Sequence, residues 1–393
     1  MIYLDNAATS FPKAPGVPEA VAAQLAGMGG SAGRTGGPMT LAADRLLFDA
    51  RLAVAKLFGL GQRGADGVVF TKNATESLNV VILGSVGFGD AVAVSSLEHN
   101  AVMRPLRRLE RERCARVIAA PFDGEGRPDP AGLDAAAAAR PALAVITMAS
   151  NVTGAATPWQ EIAQRFKSAG AVVCLDASQA AGHFPIDFGG CGADFVCLPG
   201  HKGLLGPTGT GLLLALGEAA GNARRAPLPL PLIRGGTGSR SESEEQPEEL
   251  PDRYEAGTQN LCGIAGLLAS VSWLEREGLD AVRGRESALT NRLLEAFAAI
   301  PGIRVLGPAA GPERLPVVSI DAPGADQRAV ATALERRGVA VRTGLHCAPA
   351  AHRTIGTLAT GGAIRFSPGY FTIEDEIDEA AAALADIIRK ELR

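Results

Sequence analysis

Two short apolar runs end in groups that belong together chemically. Ala171-Val172-Val173-Cys174-Leu175 leads into Asp176, and Ala193-Asp194-Phe195-Val196-Cys197-Leu198 leads into Pro199-Gly200-His201-Lys202-Gly203. A carboxylate and a glycine-flanked lysine at the carboxyl ends of neighbouring strands meet the needs of pyridoxal phosphate. The amine forms a Schiff base with the aldehyde, and the carboxylate keeps the pyridine nitrogen protonated so that the ring draws electrons. Such a site also needs a phosphate cradle, a ring stacker and a group for the substrate. Thr71-Lys72-Asn73-Ala74-Thr75-Glu76-Ser77 follows an apolar run and opens a helix, where free N–H groups and the helix dipole suit a phosphate. The Thr75 hydroxyl would add a donor, although an ordinary helix cap explains it equally well. His99, in Ser96-Leu97-Glu98-His99-Asn100, has a ring that can stack on a pyridine, or is a buried histidine satisfied by its neighbours. Gln179 lies one helical turn past Asp176, within reach of the ring's phenolic oxygen.

The elements that must position these groups show in the hydrophobic pattern. Apolar runs at 67–70, 91–95, 143–148, 171–175, 195–198 and 211–215 alternate with helical patterns, which predicts β-α units and a mostly parallel sheet. Thr75, His99, Asn151, Asp176 and Lys202 each follow directly on one of these runs. In an open α/β sheet ligands bind beyond the carboxyl ends of the strands. That convergence argues for one site more strongly than any single motif.

Beyond 215 the pattern changes. A Pro-, Gly- and Glu-rich stretch from Ala226 to Asp252 reads as a solvated loop, its acidic part running from Glu242 to Glu249. Helices are expected over 261–278, 285–299, 327–337 and from Ile373, with strands over 317–320 and near Val339 and Ala363. Thr372 with Asp375 three residues on resembles a capping box for the last helix. This α+β tail predicts a second, smaller domain of residues 261–393, joined by residues 1–15, beside a large domain of residues 16–260. The first dozen residues, with Pro12 and Pro15 near their end, are expected to cross between the two.

Composition narrows the class. The 393 residues are 47% hydrophobic and 20% charged, with a formal net charge of −4. A basic patch for nucleic acid is not evident, nor is a run of the roughly 18 apolar residues that span a membrane. The start, Met1-Ile2-Tyr3-Leu4-Asp5, has no basic region followed by a long apolar core, so a cytoplasmic protein is expected. The 6 cysteines show no paired metal-type spacing. Cys174 and Cys197 fall inside strand-like runs and read as small buried residues. Cys347 differs, because Arg342-Thr343-Gly344-Leu345-His346-Cys347-Ala348-Pro349 is a polar, Gly- and Pro-punctuated loop after an apolar run. Loop thiols are where reactive cysteines occur, and neighbouring His346 offers a way to lower the thiol pKa. The sequence leaves open whether Cys347 reacts.

In order and spacing, Tyr3-Leu4-Asp5-Asn6-Ala7-Ala8, Asn73-Ala74-Thr75-Glu76, Glu98-His99-Asn100, Asp176-Ala177-Ser178-Gln179, Gly200-His201-Lys202, Tyr254-Glu255-Ala256-Gly257-Thr258, Arg342-Thr343-Gly344 with Cys347, and Ile364-Arg365-Phe366-Ser367 form one pattern. Over essentially its whole length the chain resembles the class V aminotransferase-fold enzymes, and among them the cysteine desulfurase and selenocysteine lyase family. The resemblance implies an α/β fold of the fold type I pyridoxal-phosphate transferases, with a mostly parallel seven-stranded sheet in the large domain. It implies pyridoxal 5'-phosphate as cofactor, Lys202 as its Schiff-base lysine, Asp176 at the ring nitrogen, His99 stacked on the ring and Gln179 at the phenolic oxygen. Ala74, Thr75 and His201 would hold the phosphate together with Thr258 of a partner subunit, so a homodimer is expected. Asn151 and Arg365 would bind the substrate carboxylate, and Cys347 would take sulfur as a persulfide. One position departs: many relatives carry serine or threonine where this chain has Pro199, which offers neither hydroxyl nor N–H. The Gly235-Gly236-Thr237-Gly238-Ser239 loop is either a further donor cluster at the dimer interface or a plain loop.

The expected reaction is conversion of L-cysteine to L-alanine with sulfur passed to Cys347 and on to an acceptor, a protein among the candidates. Selenocysteine lyase, cysteine sulfinate desulfinase and true aminotransferase are related alternatives. An aminotransferase would use Lys202, Asp176 and Arg365 without needing Cys347. A catalytically silent scaffold of the same fold is the alternative from a different class.

Overall fold

The computed structural model describes residues 1–27, 29–33, 36–217 and 227–391. Ala226, where the Pro- and Gly-rich stretch was expected to begin, lies outside them. After β1 (Ile2–Tyr3) come α1 (Val17–Gly27) and α2 (Pro38–Leu57). Then β2 (Val68–Thr71), α3 (Ala74–Ser85), β3 (Ala91–Ser95), α4 (Asn100–Arg113), β4 (Arg116–Ala120), α5 (Pro130–Ala138), β5 (Leu143–Thr147), α6 (Trp159–Ser168), β6 (Val172–Asp176), β7 (Phe195–Pro199) and β8 (Gly211–Ala215) build a seven-stranded sheet. Its order is β2-β8-β7-β6-β5-β3-β4, with the pairs from β7 through β4 parallel and those of β8 antiparallel.

The six expected strands are present to within one residue at each end. All residues of β3, β5 and β7 are buried, as continuous apolar runs in a sheet covered on both faces should be. The seventh strand that the resemblance implies is β4, which no apolar run marked. It is an edge strand whose first residue is an exposed arginine and whose burial is partial, so it lacks the unbroken apolar run of its neighbours.

The rest of the chain adds α7 (Leu261–Glu277), α8 (Leu279–Ala298), β9 (Arg304–Leu306), β10 (Val318–Asp321), α9 (Gln327–Arg336), β11 (Val339–Ala340), β12 (Arg342–Gly344), α10 (Pro349–Thr354), β13 (Ala363–Phe366) and α11 (Glu374–Glu391). A four-stranded antiparallel sheet, β12-β13-β10-β9, packs with these helices around Leu293, Phe297, Ile320, Leu334, Ile364 and Leu384. Helix α7 instead places Ile264, Leu267, Val271 and Leu274 in the apolar cluster of the large sheet. Helix α8 starts earlier than expected because Gly278, at φ 85°, closes α7 and opens α8 in one turn. The capping box at α11 also shifts by one residue. The Glu376 carboxylate accepts from the Ile373 N–H at 3.1 Å, while the Thr372 hydroxyl accepts from Gly369 N–H, so Asp375 is not the boxing residue.

Residues 4–14 cross between the two sheets, as expected of that segment. Strand β1 pairs with β11, Asp5 bridges to Ser367, and Ala14 N–H reaches the Leu205 carbonyl at 3.2 Å.

Gly211 shows how tightly the site's supporting elements meet. A Cβ on this residue would lie 2.5 Å from the Asn73 backbone, the residue that starts α3. Backbone cannot yield as a flexible side chain does. Gly211→Ala should therefore cost about 1–3 kcal/mol, as overpacked interiors do. Urea titration measures this, and an unchanged midpoint would contradict the contact.

Candidate active site

The carboxyl ends of the large sheet open onto one cavity. Asn73, Ala74 and Thr75 line it from the start of α3, His99 from the start of α4 and Asn151 from the turn after β5. Asp176 and Gln179 follow β6, and His201 and Lys202 follow β7. The five groups expected at strand ends thus converge, with Pro199 on the wall between them.

Each group is held by its own local structure. Asn73, not Thr75, caps α3: its side-chain oxygen accepts the Glu76 N–H at 2.9 Å. The capping explanation of Thr75 therefore fails, and its hydroxyl stays exposed at the cavity. His99 caps α4, its Nδ1 accepting the Ala101 N–H at 3.0 Å. The neutral ring then carries its hydrogen on Nε2, and the cap fixes its orientation. Burial holds His99 uncharged, its pKa lowered to about 4 against the opposing pull of Asp176. Asp176 ends β6 at 3% exposure with its Oδ1 accepting from Ser178 N–H. Gln179 donates to the Ala7 carbonyl at 3.1 Å.

Lys202 is the pivot. Burial lowers its pKa to about 8; Asp176 opposes the shift, and Arg365 and Arg342 reinforce it. His201, pushed down to about 4 by burial and by the charges of Lys202 and Lys13, keeps a buried Nδ1 with no partner among the described residues. An unpartnered ring nitrogen beside a helix start and an exposed hydroxyl suits a phosphate oxygen, and a lone buried carboxylate suits a pyridinium. The residues present fit pyridoxal phosphate.

The smaller sheet contributes a buried arginine. Arg365 on β13 is 2% exposed and donates from Nη2 to Asp5 Oδ1 at 2.8 Å and from Nη1 to the Asn151 carbonyl at 3.1 Å. Its buried Nε lacks a partner among the described residues. Asn151 donates Nδ2 to the His346 carbonyl at 2.8 Å, and Asn100 N–H reaches the Cys347 carbonyl at 2.7 Å. The Cys347 loop is pinned at the backbone while the residue itself is exposed. His346 does not activate the thiol as the sequence suggested. Its ring is buried, stacked on His352 with centroids 5.6 Å apart, and burial holds it uncharged. It has no positive charge to lend.

Thr258 lies outside the Lys202 cavity. It lines a second cleft with Gly236, Thr237, Gly238 and Ser239, facing Gly33 and Asp44. Asp5, Lys13 and Arg342 were given no role by sequence reasoning, although Asp5 and Arg342 stood in the quoted motifs. Their importance lies in contacts that no local pattern shows: Asp5 meets a residue at the other end of the chain, and Lys13 meets the carbonyl before Lys202.

A family model described as aminotransferase class-V matches residues 2–380. A probable cysteine desulfurase of Methanothermobacter thermautotrophicus is 34% identical over 98% of this chain and 94% of its own. A probable cysteine desulfurase 2 of Mycobacterium leprae is 34% identical over 86% of this chain and 79% of its own. Among solved structures, the apo cysteine desulfurase of Thermococcus onnurineus superposes with a TM-score of 0.88 at 29% identity, covering 99% of this chain and 95% of that one.

The lowered basicity of Lys202 has a kinetic signature. Only the free amine attacks an aldehyde, so cofactor capture by the apoprotein should rise with pH to about 8 and then level off. Stopped-flow absorbance of apoprotein mixed with pyridoxal phosphate reads it. A rate still climbing at pH 10 would mean an unperturbed lysine.

Proposed function

The chain belongs to the aminotransferase class-V family, and from that footing we propose that it is a pyridoxal-phosphate-dependent cysteine desulfurase. The observation that carries this reading is the convergence of Lys202, Arg365 and the Cys347 loop on Asn151: Asn151 lines the Lys202 cavity, its carbonyl accepts from Arg365, and its side chain donates to the carbonyl of His346, immediately before Cys347.

The cofactor, when bound, supplies an aldehyde carbon for amines and a ring that withdraws electrons from the substrate α-carbon. In our assignment Lys202 Nζ anchors it, Asp176 faces the ring nitrogen, His99 stacks on the ring and Gln179 meets the phenolic oxygen. Ala74 and Thr75 at the start of α3, with His201, hold the phosphate. Arg365 grips the substrate carboxylate. Two of its N–H groups are already committed to Asp5 and Asn151, which fixes the plane of the guanidinium and leaves the others for a charge-assisted contact. A Lys202 amine with pKa about 8 is free often enough near neutrality to remove the α-proton and basic enough to hold it.

Cys347 then does what a transaminase does not need. Its thiolate sulfur attacks the substrate sulfur; a sulfur–sulfur bond forms as the carbon–sulfur bond breaks. The electron pair of that bond withdraws to carbon, where a proton completes the methyl group of alanine. The persulfide is left on an exposed residue of a pinned loop, open to an acceptor.

Thr258 supports a homodimeric reading, because its cleft stands apart from Lys202 in the same chain. The partner's phosphate is the natural target for it and for the Gly236–Ser239 turn. A cytoplasmic setting accords with six free thiols, Cys174 and Cys197 among them at 3.7 Å. No described helix is long and apolar enough to cross a membrane.

Cys347→Ala should keep the yellow colour of the loaded protein and lose alanine formation from cysteine by about two orders of magnitude or more, as loss of a nucleophile does. Full activity would refute sulfur transfer through Cys347, and a keto-acid product would indicate transamination. The dimer has a separate test. Mixed dimers of Lys202→Ala and Thr258→Ala protomers contain one intact composite site, so mixing the two impaired variants should restore activity. Absence of complementation would place Thr258 outside the partner's site.

A further inference from the structure

After β1 the chain runs along the active site as an ordered strap, and its contacts end on groups that the proposed reaction uses, or on backbone beside them. Asp5 Oδ1 accepts from Arg365 Nη2 at 2.8 Å. The Ala7 carbonyl accepts from Gln179 Nε2 at 3.1 Å. The densest contact is at the carbonyl of His201, the peptide oxygen immediately before Lys202. It accepts from Ser10 N–H at 2.9 Å, Ser10 Oγ at 3.1 Å, Thr9 Oγ1 at 3.2 Å and Lys13 Nζ at 3.3 Å. A carbonyl has two lone pairs, so four donors, one of them cationic, exceed what satisfying it requires.

Lys13 is costly where it stands. Burial lowers its pKa to about 8, and among the described residues its amine has hydroxyl and carbonyl partners but no carboxylate. A merely structural latch needs no desolvated charge, because the backbone bonds of Ser10 and Ala14 already tie this segment down. At the other end, Asn6 and Ala7 bond Ser367 two residues past Arg365, so the strap is fixed beside both functional groups.

Resting on the active-site reading above, we propose that Asp5 and Lys13 are positioning residues at the two ends of this strap. Asp5 aims the Arg365 guanidinium at the substrate carboxylate. Lys13 clamps the His201–Lys202 peptide and so sets where the Lys202 amine stands. One short segment thus carries both anchors, each setting one placement.

Two readouts that involve no sulfur chemistry test this. One is pyridoxal phosphate capture by the apoprotein at pH 8; the other is binding of L-alanine to the loaded protein, which presents the same carboxylate and amine. Lys13→Met should slow capture about tenfold, the scale on which a misplaced reacting group costs rate, with alanine affinity near that of the wild type. Lys13→Arg, which keeps the cation, should restore capture. Asp5→Asn should weaken alanine about tenfold by freeing the arginine, with capture little changed. In the double variant each readout should fall as it does in the corresponding single variant, as independent positions do. Ser10→Ala removes one hydroxyl donor and is the milder check should Lys13→Met fold poorly; a slower capture supports the clamp. Loss of thermal stability alone, with capture and alanine binding intact, would overturn the proposal, as would equal behaviour of the methionine and arginine variants. A wild-type protein that captures no cofactor would instead sink the active-site reading. A Cys347→Ala variant that keeps desulfuration would leave the strap untouched.

Discussion

The charge balance at Lys202 is the constraint on which the rest of the structure depends. Burial and two arginines push the amine toward neutrality, and Asp176 alone among the carboxylates acting on it pulls the other way. Without Asp176 the proton would be lost too readily; in open water the amine would stay protonated at neutral pH. The parallel register of β6 and β7 enforces the opposition. Asp176 pairs with Cys197, so the lysine turn emerges one strand over, on the same edge of the sheet. Glu98, buried behind this edge, would upset the balance if it ionised. Desolvation and the nearby Asp176 raise its pKa to about 8, which favours its neutral form near neutral pH.

The second half of the site depends on the first through backbone rather than side chains. His346 and Cys347 both occupy the left-handed region, at φ 48° and 56°, an uncommon conformation for two successive non-glycine residues. The bonds from Asn100 N–H and Asn151 Nδ2 hold that bend against the large sheet. Asn100 follows the residue that caps α4, and Asn151 follows β5, so the loop is referenced to the same strand ends that hold His99 and Lys202. Rigidity beneath the loop and exposure at its tip are complementary requirements. In the proposed reaction the thiol has to meet a substrate held by Arg365 and then an acceptor outside the protein.

How much of this was legible in the sequence follows from the range of the interactions involved. The strands of the large sheet were readable because burial on both faces demands unbroken apolar runs, and the groups after them because topology sends strand ends to one place. The partly exposed edge strand β4 was not readable, since nothing forces its residues to be uniformly apolar. Whether Thr75 caps α3 stayed open in the sequence because Asn73 and Thr75 are both good capping types, and only the backbone decides between them. The role of His346 could not be decided because sequence adjacency to Cys347 says nothing about where a ring points; here it turns inward onto His352. Asp5 with Arg365, and Lys13 with the His201 carbonyl, were invisible for the simplest reason. Their partners are brought together only by the finished fold.

Pro199 illustrates how a missing donor can be absorbed. It closes β7 opposite Gly211, where the ladder asks nothing of its nitrogen, and the next N–H, that of Gly200, reaches the Thr210 carbonyl at 2.9 Å. Proline is therefore tolerated at a strand end on backbone grounds alone. In the proposed cradle the lost hydroxyl is offset by groups that the fold leaves unused: the Thr75 hydroxyl released by Asn73, and the buried His201 Nδ1 with no partner among the described residues. An orphaned buried nitrogen destabilises an empty site, since its desolvation goes uncompensated. The same penalty vanishes when an anion arrives. The absence of a donor at 199 and the unmet nitrogen at 201 are thus two sides of one arrangement, in which part of the phosphate affinity comes from relieving strain in hydrogen bonding rather than from adding another hydroxyl.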